Sequence, residues 1–244
     1  MTDRTVLRIS GADARHFLQG LVTNDVERLD QGLVYTAMLT PQGKYRADFF
    51  LVPMGTDTLL DVATPLAGGL KQALMMYKLR SAVEIEDTDR TVTRGLGDIP
   101  DGAFADPRDP TLGWRGYDGQ PGDQDVDWDA LRVEAIVPES GVELTPDSFI
   151  LEMGFERLNG VDFRKGCYVG QEVTARMKHK TELRKGLAQV RVSSPVPVGT
   201  EILVDGKPAG TLYTQAGGKG LAYLRFDRAT GDLAAGDAVV RYPV

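Results

Sequence analysis

Apolar positions along the first ninety residues follow two rhythms. Val6–Ile9, Leu33–Leu39, Tyr45–Val52, Thr58–Ala63 and Ala82–Ile85 are short runs of β-branched, aromatic and leucine side chains, as strands require. Between the first two, Ala14, Phe17, Leu18 and Leu21 recur at helical spacing, and Ser10 with Asp13 predicts a capping box ahead of them. Leu66, Leu70, Leu74 and Tyr77 mark a second helix that opens at Pro65, and Thr40-Pro41-Gln42-Gly43 reads as a turn. The order β-α-β-β-(β)-α-β is that of a ferredoxin-like unit, which assigns residues 1–92 to a first domain.

The pattern breaks at Asp98–Asp129, where nine aspartates and four prolines predict an acidic connection with short ordered pieces. Within it, Trp114-Arg115 is either an anchor that docks the loop or a surface on which a ligand stacks. Helical periodicity returns at Trp128–Val137, and a helix is expected from Gln171 to His179, so residues 93–185 read as a second α+β domain. Beyond it, Gly186–Val192, Glu201–Val204, Ala209–Thr214, Leu221–Phe226 and Ala238–Arg241 are strands separated by turns, with no helix signal. Residues 186–244 therefore predict a small β-barrel. Gly217-Gly218-Lys219-Gly220 lacks the spacing of a phosphate loop and reads as a hairpin turn. The fold class is α+β.

Composition narrows the function. A net charge of −7 argues against general nucleic-acid binding, and no apolar run approaches the roughly 20 residues of a membrane helix. One cysteine and no secretory pattern at the start lead to the expectation of a cytoplasmic protein. Charge is unevenly spread: Arg164, Lys165, Arg176, Lys178, Lys180, Arg184 and Lys185 form a basic island against Glu172 and Glu182. Such an island is either a solvated face or an anion site.

The island surrounds the single thiol. Cys167 stands between Gly166 and Gly170, next to Arg164 and Lys165, and just ahead of the helix expected from Gln171. Cations and helix N-termini favour a thiolate, while glycines admit close approach of a ligand or chain. The alternative is a small buried hydrophobe. A Cys–His pair is not supported, since only His16 and His179 exist and a helix over the intervening twelve residues would place His179 roughly 18 Å away. One cysteine and two distant histidines match no zinc spacing, and a stable iron–sulfur cluster takes four protein ligands. A ligand role shared with a partner stays open.

The segment Lys165-Gly-Cys-Tyr-Val-Gly-Gln-Glu-Val-Thr-Ala-Arg176 resembles the signature of YgfZ-type folate-binding proteins. These are relatives of the glycine-cleavage aminomethyltransferase (T-protein) that assist iron–sulfur cluster assembly or repair. Phe17–Asp25, Leu39–Gly43 leading to Asp48, and Tyr77–Arg80 resemble further segments of that superfamily. The resemblance implies ferredoxin-like units arranged in a ring around a cavity for tetrahydrofolate or a derivative, with a C-terminal barrel. It places Asp48, in a position where T-proteins carry adjacent acids, and Glu152, in a segment similar to Leu-Glu-Ala-Gly, against the pterin. Lys165, Gly170, Gln171 and Glu172 of the signature, with Arg176 and Arg184 of the island, complete the implied folate contacts; the cations would suit a glutamate tail. From the residues alone, Asp48 could equally be a strand carboxylate paired with Arg46, and Glu152 a surface glutamate.

Two functional classes follow. In one, the chain is a folate-binding accessory factor whose partners are iron–sulfur assembly or client proteins, with Cys167 as the acting group. In the other, it is a folate-dependent aminomethyl- or methyltransferase with Asp48 as catalytic acid/base. The cysteine signature, which T-proteins lack, favours the first. Plain folate binding without chemistry is a third possibility.

Overall fold

The computed structural model describes residues 3–179 and 182–243. The chain divides into two compact units, Met1–Val126 with Phe155–Ala175, and Asp127–Gly154 with Arg176–Val244.

The first unit opens as the hydrophobic pattern requires, with β1 (Arg4–Ser10), α1 (Ala14–Gln19), β2 (Val34–Leu39), β3 (Tyr45–Met54), β4 (Asp57–Ala63), α2 (Thr64–Lys78) and β5 (Glu84–Asp87). They form a five-stranded sheet in the order β2-β3-β4-β1-β5, antiparallel throughout. β4, α2 and β5 make the split β-α-β of a ferredoxin-like unit, with β1 between the two strands. One local expectation fails. Ser10 ends β1 instead of capping α1, and Asp13 offers its carboxylate to the Ala82 amide at 2.8 Å.

Strand β3 is buried on both faces, which explains its unbroken apolar run. Ala47, Phe49 and Leu51 join Leu7, Ile9, Leu60 and Val62 in one face, packed with Phe17, Leu18, Leu70 and Leu74 of the helices. The registers Tyr35↔Phe50, Ala37↔Asp48 and Phe50↔Asp61 set Tyr35, Asp48, Phe50 and Asp61 together on the opposite face. That face is aromatic and charged.

The acidic stretch contributes its cover. β6 (Thr93–Gly95), β7 (Phe104–Ala105) and β8 (Trp114–Gly116) form a small sheet in the order β6-β8-β7. Trp114 is buried, donates to the Leu96 carbonyl at 3.3 Å, and lies so close to Gly95 that a Cβ there would meet its ring at 2.3 Å. It is the anchor of this segment, with no free face for a ligand. Arg115 is buried beside it and bonds Asp106 and Asp61.

In the second unit α3 (Trp128–Ala135) is followed, beyond the division, by α4 (Gln171–Lys178), which straddles the boundary between the units. β9 (Lys185–Val192), β10 (Thr200–Val204), β11 (Lys207–Ala216), β12 (Lys219–Arg225), β13 (Asp232–Ala235) and β14 (Ala238–Arg241) close a barrel in the order β10-β11-β12-β9-β14-β13. Six strands replace the five expected. The added β13, Asp-Leu-Ala-Ala, has little β-propensity and joins because it pairs with both β10 and β14. Gly217 and Gly218 form the β11–β12 turn, both at positive φ, as a two-residue hairpin needs. Arg132 of α3 and Thr214 of β11 meet over the buried Glu143, which ties the helix to the barrel wall.

Candidate functional site

Asp48 is only 4% exposed, and both of its carboxylate oxygens are held by phenols. Tyr35 donates to Oδ2 at 3.0 Å and Tyr45 to Oδ1 at 2.6 Å. Burial, reinforced by the Asp48 charge, pushes the Tyr35 hydroxyl well above its ordinary range, so it stays a donor. Around this pair the face is lined by cations on aromatic rings: Arg115 stands 3.9 Å from the Phe50 centroid, and Arg108 lies 4.9 Å from Phe50 and 5.4 Å from Tyr35. Arg4, Asp61, Arg115, Asp106 and Arg108 form a continuous buried chain of alternating charge. None of the tyrosines or arginines was singled out from sequence except Arg115.

Cys167 is exposed, as is Gly166 before it, while Lys165 and Tyr168 on either side are buried. The Lys165 ammonium bonds the carbonyls of Gln19 at 2.8 Å and Val22 at 2.5 Å, inside the unit, instead of lying against the thiol. Burial lowers its pKa to about 8, against the opposing pull of Asp25 and Asp162. Asp25, Glu27, Arg28, Asp162, Arg164 and Lys165 line an open cleft of about 320 Å³ at the base of this loop.

On the other side of the thiol, Gly170 adopts φ +83° and seats the start of α4 on the β2–β3 turn. A Cβ at Gly170 would lie 2.6 Å from the Thr40 carbonyl, and one at Gly43 would lie 2.7 Å from Val173 Cβ. The hairpin that carries Asp48 is therefore the hairpin that seats the signature. Gln171 opens α4 and Glu172 is exposed in its first turn. Gly170→Ala should cost roughly 1–3 kcal/mol in urea unfolding, from the left-handed backbone and the contact with an immobile carbonyl. A loss under about 0.5 kcal/mol would mean that α4 is not seated this way.

The remaining sequence candidates belong to the second unit. Glu152 is half-buried and accepts from Tyr223 of β12 at 2.7 Å; its own carbonyl accepts from Leu187 at 2.7 Å. Burial and the Glu152 carboxylate raise the Tyr223 pKa. The glutamate is thus fixed to the barrel wall instead of lying free on the surface. Arg176, Lys178 and Arg184 are exposed, and Lys180 lies outside the described residues. Lys165 leaves the island, since its charge is used internally.

A GCVT N-terminal domain model matches residues 1–94, and the C-terminal β-barrel domain model of CAF17 matches residues 184–243. The human mitochondrial iron–sulfur cluster assembly factor IBA57 is 31% identical, over 94% of this chain and 78% of its own length. The chain belongs to the IBA57 family. The mouse IBA57 is 29% identical with the same coverage, and the Mycosarcoma maydis homolog is 34% identical over 75% of this chain. The chain spans about half the length of that fungal relative, 54%. A glycine cleavage system aminomethyltransferase T from Bartonella henselae shares the fold, with a TM-score of 0.71 at 13% identity, covering 97% of this chain and 81% of the other.

Two expectations change with these relatives. The signature pointed to YgfZ-type proteins, whereas the family shown is the related one of IBA57. The cytoplasmic placement is overturned, because the IBA57 relatives are mitochondrial proteins. A single cysteine could not make that distinction, since it indicates only a reducing compartment. No helix among the described residues is long and apolar enough to cross a membrane.

Proposed function

We propose that this protein is an iron–sulfur cluster assembly factor that acts through the Cys167 thiol and binds a reduced folate. The observation that carries the reading is the exposure of Cys167 between two buried neighbours, Lys165 and Tyr168. A thiol so placed can reach a ligand position on a cluster without unfolding its own unit. The cluster is cargo. With one cysteine in the chain, the other ligands of a cluster come from the delivering or receiving protein. Membership of the IBA57 family supports this assignment.

The acceptors fit a folate. Asp48 and Glu152 are carboxylates, whose oxygens accept the kind of N–H donors that a pterin edge presents. Asp48 and Glu152 each have the chemistry to accept from a pterin ring, and the exposed cations Arg176 and Arg184 have the charge that a glutamate tail requires. A bound reduced folate supplies a carrier for one-carbon units. The likeness of fold to an aminomethyltransferase supports the second reading, a transferase using Asp48. Against it, two phenols hold that carboxylate as a fixed acceptor, which suits positioning a ring better than moving a proton.

Titration with tetrahydrofolate, followed by calorimetry, tests the folate assignment. Asp48→Asn and Glu152→Gln should each weaken binding by roughly 1–3 kcal/mol. Affinity should rise with the number of glutamates and fall with salt. Unchanged affinity in both variants would remove folate from the proposal and leave the thiol reading standing.

A further inference from the structure

The loop that presents Cys167 is tied down at its base by groups from Thr23–Asp25 and the end of α1. Thr23 Oγ1 donates to the Gly160 carbonyl at 2.7 Å, and the Asn24 side-chain amide donates to the Asn159 carbonyl at 2.6 Å. The Thr23 carbonyl accepts from the Asp162 amide at 3.0 Å. Asp162 in turn accepts from the Arg164 and Lys165 amides, at 2.7 and 3.2 Å, and pairs with Arg28. Beyond this base the Lys165 side chain ties the chain again before the thiol.

That side chain is an unusual choice for a buried position. An ammonium taken from water at 8% exposure is costly unless it is paired and hydrogen-bonded. Here it lies on the carbonyls of Gln19, the last residue of α1, and of Val22, three residues beyond the helix, with Asp25 and Asp162 supplying opposite charge. The Tyr168 ring lies 5.1 Å from the same ammonium. Lysine and tyrosine therefore close on each other inside the unit, and only Gly166 and Cys167 project between them. A cage of carbonyls, carboxylates and an aromatic face selects a cation, and an apolar side chain of similar length would leave the carbonyls unsatisfied.

We propose that Lys165 is a positioning residue whose ammonium, held by the Gln19 and Val22 carbonyls, pins the Cys167 loop so that the thiol is presented in one place. The proposal deepens the reading of Cys167 as the acting thiol and rests on it for its biological meaning. The run Phe17–Asp25 then has a definite task, which is to build the receptor for this pin.

Because Cys167 is the only cysteine, a nitroxide attached to it reports on this loop alone. In the full-length wild type the label should show restricted motion at pH 7. Lys165→Ala should shorten its rotational correlation time at least twofold, and added ethylammonium should restore it while ethanol should not. A role in packing alone would not distinguish these two additives. Lys165→Met, which keeps the apolar stem of the side chain and loses the charge, should mobilise the label in the same way. The motion of the label in the wild type decides the matter if neither variant folds. Unchanged label motion in a folded variant, or equal rescue by ethanol, or a freely tumbling label in the wild type where the variants are lost, overturns the pin. Complementation by Cys167→Ser would instead remove the thiol reading and leave the pin intact, so the two failures are distinguishable.

Discussion

Cells lacking this protein and given the Cys167→Ser variant should show iron–sulfur enzyme activities no higher than with no protein at all. The purified variant should keep its stability within about 0.5 kcal/mol of wild type, the usual range for an exposed substitution. Both halves follow from one position. The side chain is exposed and makes no packing contribution that serine would lose, yet it is the only thiolate the chain can offer a cluster. Serine keeps the size but is a far poorer ligand for a soft, thiolate-preferring metal centre. In the folded wild type, iodoacetamide should modify Cys167 without denaturant, as its exposure allows. Full complementation by Cys167→Ser would sink the proposed role of the thiol, and with an inert thiol in addition the transferase reading would move ahead.

What could be read from the sequence depended on whether a signal was local. The seven elements that open the first unit were legible because each carries its own period of apolar residues, down to Pro65 near the start of α2. Gly166 and Gly170 correctly marked Cys167 as a residue outside the core. β13 was not legible, since Asp-Leu-Ala-Ala becomes a strand only when two neighbours pair with it. Asp106 was one aspartate of an acidic connection and Arg115 was noted only beside Trp114, but Arg115 finds Asp61 at a separation of 54 residues. The receptor for Lys165 was hidden for a different reason. It consists of main-chain carbonyls 146 and 143 residues away, and a carbonyl has no signature in the sequence. Long-range polar pairing is what pattern reading misses, and in this protein it surrounds both Asp48 and the loop of Cys167.

The largest loss of stability is expected from that pairing. Asp106 accepts from the Arg108 amide, Nε and Nη2 at 3.1, 3.0 and 2.8 Å, and from Arg115 Nε at 3.0 Å. Asp106→Asn keeps the shape, removes the charge and turns an amide donor toward two buried guanidiniums. Breaking a buried ion pair on one side costs about 3–5 kcal/mol, a large share of the roughly 5–15 kcal/mol that holds a domain folded. Urea unfolding at pH 7 measures it, and a loss under about 1 kcal/mol would mean that water reaches the cluster. The pH dependence has a definite sign. Burial alone would raise the Asp106 pKa, but the Arg108 and Arg115 charges hold it far below the carboxylate range. The unfolded chain therefore takes up this proton first, near pH 4, and the contribution of Asp106 falls away as the pH drops further toward its folded value. Wild type and Asp106→Asn should differ most above about pH 5 and converge in acid. The same substitution should also weaken folate binding, because Arg108 lies over the Tyr35 ring whose hydroxyl holds Asp48. Full folate affinity in a destabilised but folded Asp106→Asn would show that the charge chain supports the sheet alone and leaves Asp48 undisturbed.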